Sequence, residues 1–265
     1  CFYVMIQLAF IGTGTCNATR RKPQSLVFSI NGELICVDFG GGAYHAIASL
    51  NNLDFNYGNI STVILTHYHV DHISGLPDLL WGEMWDYTGH RTEPLTFVGP
   101  KGLKNFYEDR LLPFMGDYPL PFKVELVELH DGDIYEGNGF KLQSNTLAHG
   151  DFSSGYLFDF GLKKIAITGD TGYCDALQRL LSVADIAVIE WGIASEDTYP
   201  LHVSSKDIIS LLNADIWPEQ MYAVHVYPLP DIDFETQLQT MSAIVTSHNK
   251  SIEFPSDGDI ITIIP

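Results

Sequence analysis

Thr66-His67-Tyr68-His69-Val70-Asp71-His72 follows directly on the apolar run Thr62-Val63-Ile64-Leu65. Three imidazoles and a carboxylate so close together suit no hydrophobic core. They suit a divalent metal: neutral imidazole and carboxylate are the usual zinc ligands, and a catalytic site needs several of them converging with one position left open. The run before them is β-branched and continuously apolar, the pattern of a buried central strand. The ligands therefore leave the C-terminal end of a strand, where a rigid sheet presents functional loops. Side chains alternate in extended backbone, so His67 and His69 point the same way and can share one ion. Asp71 and His72 lie further round the turn and can face a second. A solvated His-rich loop is the competing reading, and spacing, residue types and strand context stand against it.

Other polar residues occupy the same kind of position. His149 follows the strand ending Asn145-Thr146-Leu147, Asp170 stands just past Ile167-Thr168-Gly169, and His225 ends Met221-Tyr222-Ala223-Val224. A single His of this kind is more often a hydrogen-bonded core residue. Repeated placement at strand ends is what makes convergence on one sheet edge the better expectation. Asp170 is the natural bridge between two ions, because a carboxylate has two oxygens. Glu190 ends Ile186-Ala187-Val188-Ile189, and His202 precedes Val203-Ser204-Ser205-Lys206-Asp207, where a serine cap with Asp207 starts a helix. A Glu–His pair beside metal can protonate a leaving alkoxide, the carboxylate orienting the ring and favouring its protonated form. A purely structural pair is the alternative.

The 265 residues, 46% hydrophobic, suffice for one sizeable core and are expected to form a single domain over 1–265. The net charge of −19 opposes nucleic-acid binding, which rests on neutralising phosphates with Lys and Arg. Arg20-Arg21-Lys22 is the only basic triplet. Cys1, Cys16, Cys36 and Cys174 form no C-x-x-C pair, which reads as reduced thiols in a cytoplasmic protein. The apolar start lacks the basic n-region and cleavage site of a signal peptide and runs into Gly12-Thr13-Gly14, so a first strand over Val4–Ile11 is expected. A lipidated Cys1 is disfavoured, and no segment is long and apolar enough to span a bilayer.

Leu26–Ile30, Asn31-Gly32 and Leu34–Val37 read as a hairpin. Helices are expected over Tyr44–Leu50, from Gly75-Leu76-Pro77, over Lys101–Leu111, Cys174–Leu181 and Ser205–Asn213, and from about Phe234. In the last of these, Phe234, Leu238, Met241 and Val245 recur at helical spacing. Further strands are expected at Leu95–Val98, Val124–Val127, Phe140–Leu147, Gly155–Phe160, Lys164–Thr168, Ile186–Ile189, Met221–His225 and Ile260–Ile263. Mixed strands with outer helices make an α/β sandwich.

The order Gly12-x-Gly14, His67-x-His69-x-Asp71-His72, His149, Gly169-Asp170-Thr171 and His225 resembles the metallo-β-lactamase superfamily, and within it the ribonuclease Z-like branch. Phe10–Thr15, His72–Leu80 and Pro94–Leu103 resemble that branch's opening motif, its helix after the metal loop, and the strand and turn that follow. Glu190 and His202-Val203-Ser204 match its acid-donating Glu and His. The resemblance implies an αββα sandwich of two mixed β-sheets and two divalent ions per chain, usually zinc, with manganese or iron as alternatives. It assigns His67, His69 and His149 to the first ion, Asp71, His72 and His225 to the second, and Asp170 to both. It leaves monomer and homodimer open.

Two departures bear on substrate. Ribonuclease Z usually carries a long tRNA-gripping arm between its third His and bridging Asp. Here two strands and a turn fill the interval from His149 to Asp170. Val224-His225-Val226-Tyr227-Pro228 also replaces the branch's usual His-Phe-Ser. The aromatic segment Trp81–Arg91 can wall a smaller pocket instead. The expected chemistry is metal-assisted hydrolysis of a small or cyclic phosphodiester, with two ions roughly 3.5–4 Å apart activating a shared hydroxide. Asp71 would orient the nucleophile, and His202, set by Glu190, would protonate the leaving oxygen. tRNA 3′ processing, hydrolysis of sulfate esters, lactones or thioesters, and a metal-binding sensor are the other readings, because fold and ligands do not fix the substrate.

Overall fold

The computed structural model describes residues 5–16, 21–50, 52–86, 89–194, 199–227, 229 and 231–263. Val4, Cys1, Arg20, Pro228 and part of the Trp81–Arg91 segment lie outside these. The chain falls into two compact units.

The first unit is built from residues up to Gly12, from Arg21 to Leu129, and from Ser256 onward. Strands β1 (Ile6–Gly12), β2 (Ser25–Ile30) and β3 (Glu33–Val37) form an antiparallel meander. The β2–β3 turn is the expected Asn31-Gly32 pair, both at positive φ (52° and 80°), which a two-residue hairpin requires. β4 (Ile60–Ile64), β5 (Leu95–Pro100) and β6 (Val124–Leu129) then add in parallel. The C-terminal strand Ile260–Ile263 pairs with the other edge of β1, completing seven strands. β4 and β5 are nearly continuous runs of buried residues, as strands covered on both faces must be.

Helices α1 (Ala43–Ser49), α2 (Val70–Ile73) and α3 (Leu76–Trp85) bring Ile47, Leu76, Leu79 and Leu80 onto the same core as Val63, Leu65 and Phe97. The helix expected over Lys101–Leu111 begins later and runs further. Leu103–Phe106 (α4) passes through a wide π turn, Tyr107–Leu111, into Leu112–Met115 (α5). Pro113 directly follows the π turn, within the continuous helical run.

The second unit contains the stretch from Thr13 and His130–Pro255. Its sheet runs β12-β11-β10-β9-β8-β7. β7 (Ile134–Gly137), absent from the sequence reading, is short and ends at a tight turn before β8 (Phe140–Thr146). β9 (Ser154–Asp159) and β10 (Lys164–Ile167) continue the antiparallel meander, and β11 (Ile186–Glu190) and β12 (Gln220–Val224) add in parallel. α6 (Asp175–Ser182) and α7 (Ser205–Asn213) make the crossovers, and α8 (Phe234–Ser247) buries Leu238, Met241 and Val245. α7 starts on the expected capping box: Ser204 Oγ accepts from Asp207 N, and Asp207 Oδ2 accepts from Ser204 N.

This topology fixes where loops emerge. β8, β10, β11 and β12 all run in one direction, because two antiparallel steps separate β8 from β10 and the rest are parallel. The residues following those four strands therefore leave one edge of the sheet.

Candidate metal and acid–base site

In the first unit, β4 passes through Leu65 into the ligand loop. Alternation holds: Tyr68 turns away to stack on Phe106 at 5.0 Å and donates its hydroxyl to Pro100 O. Burial, then the Glu128 carboxylate, pushes the Tyr68 pKa up and keeps that proton in place. His67 and His69 turn the other way, ring centroids 4.5 Å apart, and His72 approaches His67 to 4.1 Å. His67 and His72 are buried and His69 is exposed. Asp71 and His72 do not sit on a simple turn as expected but on the one-turn helix α2, which puts half-buried Asp71 in its first turn.

Asp38, not singled out by sequence, organises this loop. It follows β3 and is buried, at a φ of 57°. Its carboxylate accepts from Thr66 N at 2.8 Å and Thr66 Oγ1 at 2.8 Å, and pairs with His72 Nδ1 at 2.7 Å. A carboxylate on Nδ1 fixes the ring and leaves Nε2 to face a metal. Thr66 Oγ1 does the same for His67 Nδ1 at 3.0 Å. The signal was present: Asp38 ends Ile35-Cys36-Val37, the same strand-end acid pattern that marked Asp170. Gly40 is required beside it, because a Cβ there would lie 2.5 Å from Asp71 O.

In the second unit the donors come from separate strand ends. Asp170 and His225 are buried, and His225 Nε2 lies 3.4 Å from Asp170 Oδ2, with His149 Nε2 at 3.7 Å. Two ligands each about 2.0–2.1 Å from one tetrahedral ion stand roughly 3.3–3.4 Å apart, so this spacing suits donors sharing a metal. His149 Nδ1 bonds Leu201 O at 2.7 Å, again leaving Nε2 for the site. His225 sits at a φ of 56°, a left-handed conformation uncommon for a non-glycine residue, and its N–H donates to Thr13 O at 2.8 Å.

Glu190 and His202 are paired as expected: His202 Nδ1 lies 3.0 Å from Glu190 Oε2 and 3.2 Å from Oε1. Glu190 is 1% exposed, and Oε1 also accepts from Thr171 N. The same carboxylate stands 3.8 Å from His225 Nδ1. Asp170, His202 and His225 offer ligand atoms within 4.8 Å of one another. The two His/Asp sets are donor clusters of the kind that hold divalent metal.

A cavity of about 310 Å³ in the first unit is lined by Tyr44, His45, Asp78, Trp81 and Phe114; among the described aromatic residues of the Trp81–Arg91 segment Trp81 alone reaches it, and none of the metal-type donors does. Trp81, Trp85 and Tyr118 are in mutual ring contact at 5.4–6.4 Å.

Solved structures share this architecture. The metallo-β-lactamase fold protein YhfI from Bacillus subtilis superimposes with a TM-score of 0.77, covering 98% of this chain and 100% of that one at 16% identity. Yeast PDE1 also gives 0.77, over 98% and 100%, at 14% identity. The fold is the metallo-β-lactamase fold, two mixed sheets flanked by helices. Residues 6–248 match the model of the Anti-Pycsar protein Apyc1 family, and the chain belongs to that family. Ribonuclease Z of Methanosarcina mazei is 33% identical over 153 residues, 57% of this chain and 48% of that protein. The ribonuclease Z-like resemblance is therefore real, although the chain spans about half the length of the curated relatives it matches first. Among the described residues, no helix is long and apolar enough to cross a membrane.

Proposed function

We propose that the chain is a metal-dependent hydrolase, its two units acting as one domain, whose substrate is a small or cyclic phosphodiester. The observation that carries this is the pairing of buried Glu190 with half-buried His202 beside Asp170 and His225: a proton donor set against donors of metal type. His67, His69 and His149 would hold one divalent ion, Asp71, His72 and His225 a second, and Asp170 both. Zinc suits the imidazole-rich set best. When bound, such ions polarise a phosphoryl oxygen and lower the pKa of water toward neutrality.

The chain's own residues do the rest. Asp38 and Thr66 fix the rings of His72 and His67, and Leu201 O fixes that of His149. Asp71 orients the attacking water. Glu190 holds His202 by Nδ1, so its Nε2 is left to protonate the leaving oxygen.

Two observations favour a small diester over tRNA. The interval where a tRNA-gripping arm would stand is the compact β9–β10 hairpin, and the charge of −19 opposes a polyanion. The ribonuclease Z relative keeps tRNA 3′ processing as the second reading. The test is hydrolysis of bis(p-nitrophenyl) phosphate by protein of assayed metal content, beside Asp71→Ala. About two zinc or manganese ions per chain with Asp71-dependent turnover supports the proposal. Full metal without turnover turns the assignment to sulfate, lactone or thioester substrates.

A further inference from the structure

The cavity of the first unit touches no metal-type donor and has a chemistry of its own. At about 310 Å³ it falls at the lower end of the range for small-molecule sites. α1 contributes Tyr44 to its lining, α3 contributes Trp81 and α5 contributes Phe114, three aromatic side chains from three helices. Asp78, in the first turn of α3, is the one carboxylate among the described lining residues, and no Lys or Arg is among them.

These walls are set in advance. Gly82 lets the Tyr44 ring lie against α3, since a Cβ there would stand 2.5 Å from Tyr44 Cε1. Tyr57 meets that ring edge-on at 5.2 Å, and the Tyr44 hydroxyl donates to Glu83 Oε1 at 3.3 Å. Burial, then the Glu83 carboxylate, pushes the Tyr44 pKa up, so the ring stays uncharged. Glu83 is itself occupied by Arg91, whose Nε donates to it at 2.7 Å. Trp85 and Tyr118 flank the Trp81 ring at 6.1 and 5.4 Å between centroids.

Aromatic rings beside a carboxylate select a cation, because the ring quadrupole puts negative charge on its faces. The overall charge of −19 favours cations near the surface as well. Which cation follows from what the cavity lacks. A primary ammonium carries three N–H donors and a guanidinium five, and each wants an acceptor. Asp78 is the only charged acceptor here, and Pro77, Met115 and the three rings are otherwise apolar surface. A fully methylated ammonium has no donor to satisfy.

We propose that this cavity is a second binding site, which takes a small ligand through its methylated ammonium group, the rings of Tyr44, Trp81 and Phe114 packing on the methyls and Asp78 balancing the charge. The site is separate from the metal-type donors and does not rest on the hydrolase reading.

Saturation-transfer NMR titrations of choline and its uncharged isostere 3,3-dimethylbutan-1-ol test this on the metal-loaded chain, at pH 8, where free imidazole is neutral. Wild type is expected to bind choline about tenfold more tightly than the alcohol. Trp81→Leu keeps apolar bulk but removes the ring, and should cut choline affinity about threefold or more while leaving the alcohol's unchanged. Asp78→Asn should likewise weaken choline alone. Both side chains are exposed, so neither substitution disturbs the core. Asp71→Ala should bind choline as wild type does. Equal binding of the two probes by wild type, a choline preference that survives both Trp81→Leu and Asp78→Asn, or its loss in Asp71→Ala overturns the proposal. Phosphatidylcholine vesicles separate two sources of the same group. Asp78-dependent co-sedimentation assigns it to a lipid head group and its absence to a soluble molecule, and the site stands in both cases.

Discussion

The two units supply metal-type donors by opposite means. The first concentrates His67, His69, Asp71 and His72 in one loop and its helical turn, fastened by the single carboxylate of Asp38. The second gathers His149, Asp170, Glu190 and His225 from the ends of β8, β10, β11 and β12, far apart in sequence. Both place a non-glycine residue at left-handed φ where a strand ends, Asp38 at 57° and His225 at 56°. That conformation costs free energy and persists only where surrounding contacts over-determine it. In the first unit those contacts run from one carboxylate to a single loop, which the pairing of β3 with β4 brings beside it. In the second they are sheet order and loop-to-loop hydrogen bonds. A local set should tolerate disturbance of distant packing, and a dispersed set should not.

The largest expected effect probes the local set. Asp71→Ala should lower turnover on bis(p-nitrophenyl) phosphate by about a thousandfold or more, since it removes both a ligand and the group that orients water. Steady-state rates with metal content measured alongside would check it, and near-normal turnover would break the assignment. The next probes the dispersed set. Gly172→Ala drives a Cβ onto Pro200 O and should cost about 3 kcal/mol of stability, read from urea denaturation. Because Pro200 belongs to the turn that holds His149 and His202, turnover should fall as well. Wild-type stability and activity together would contradict the close packing.

Asp38→Asn keeps a residue tolerant of left-handed backbone but removes the charge on His72 Nδ1. Metal affinity should drop roughly 10–100-fold, measured by competition with a chromogenic chelator. His202→Ala should lose turnover on poor leaving groups far more than on activated ones. Equal losses would count against acid catalysis and for a structural Glu–His pair. The smallest effect is expected from Ser204→Ala, which removes the cap of α7 and should cost about 1 kcal/mol in thermal or urea unfolding. A loss several times larger would mean that the cap also holds the His202 turn in place.

The sequence by itself determined what is written locally. The apolar run before Thr66, the Asn31-Gly32 turn, the Ser204–Asp207 box and the α8 periodicity each depend on residues close in the chain, and each stands as read. The His67–His72 cluster belongs with them, because its residue types and spacing are themselves the chemistry. The strand-end positions of His149, Asp170, Glu190 and His225 were legible, and their repetition made convergence the expectation, but the distances at which they meet were not. That follows from strand order and direction, which parallel pairing through long crossovers sets without a local sequence mark. Asp38 was missed for a related reason: its partner His72 is 34 residues away, and only the side-by-side pairing of β3 with β4 brings them together. The hold of Leu201 O on His149 and the stacking of Tyr199 on His202 came from tertiary structure alone. A backbone carbonyl carries no residue signature, and the tilt of two rings is decided only when the turn between them closes.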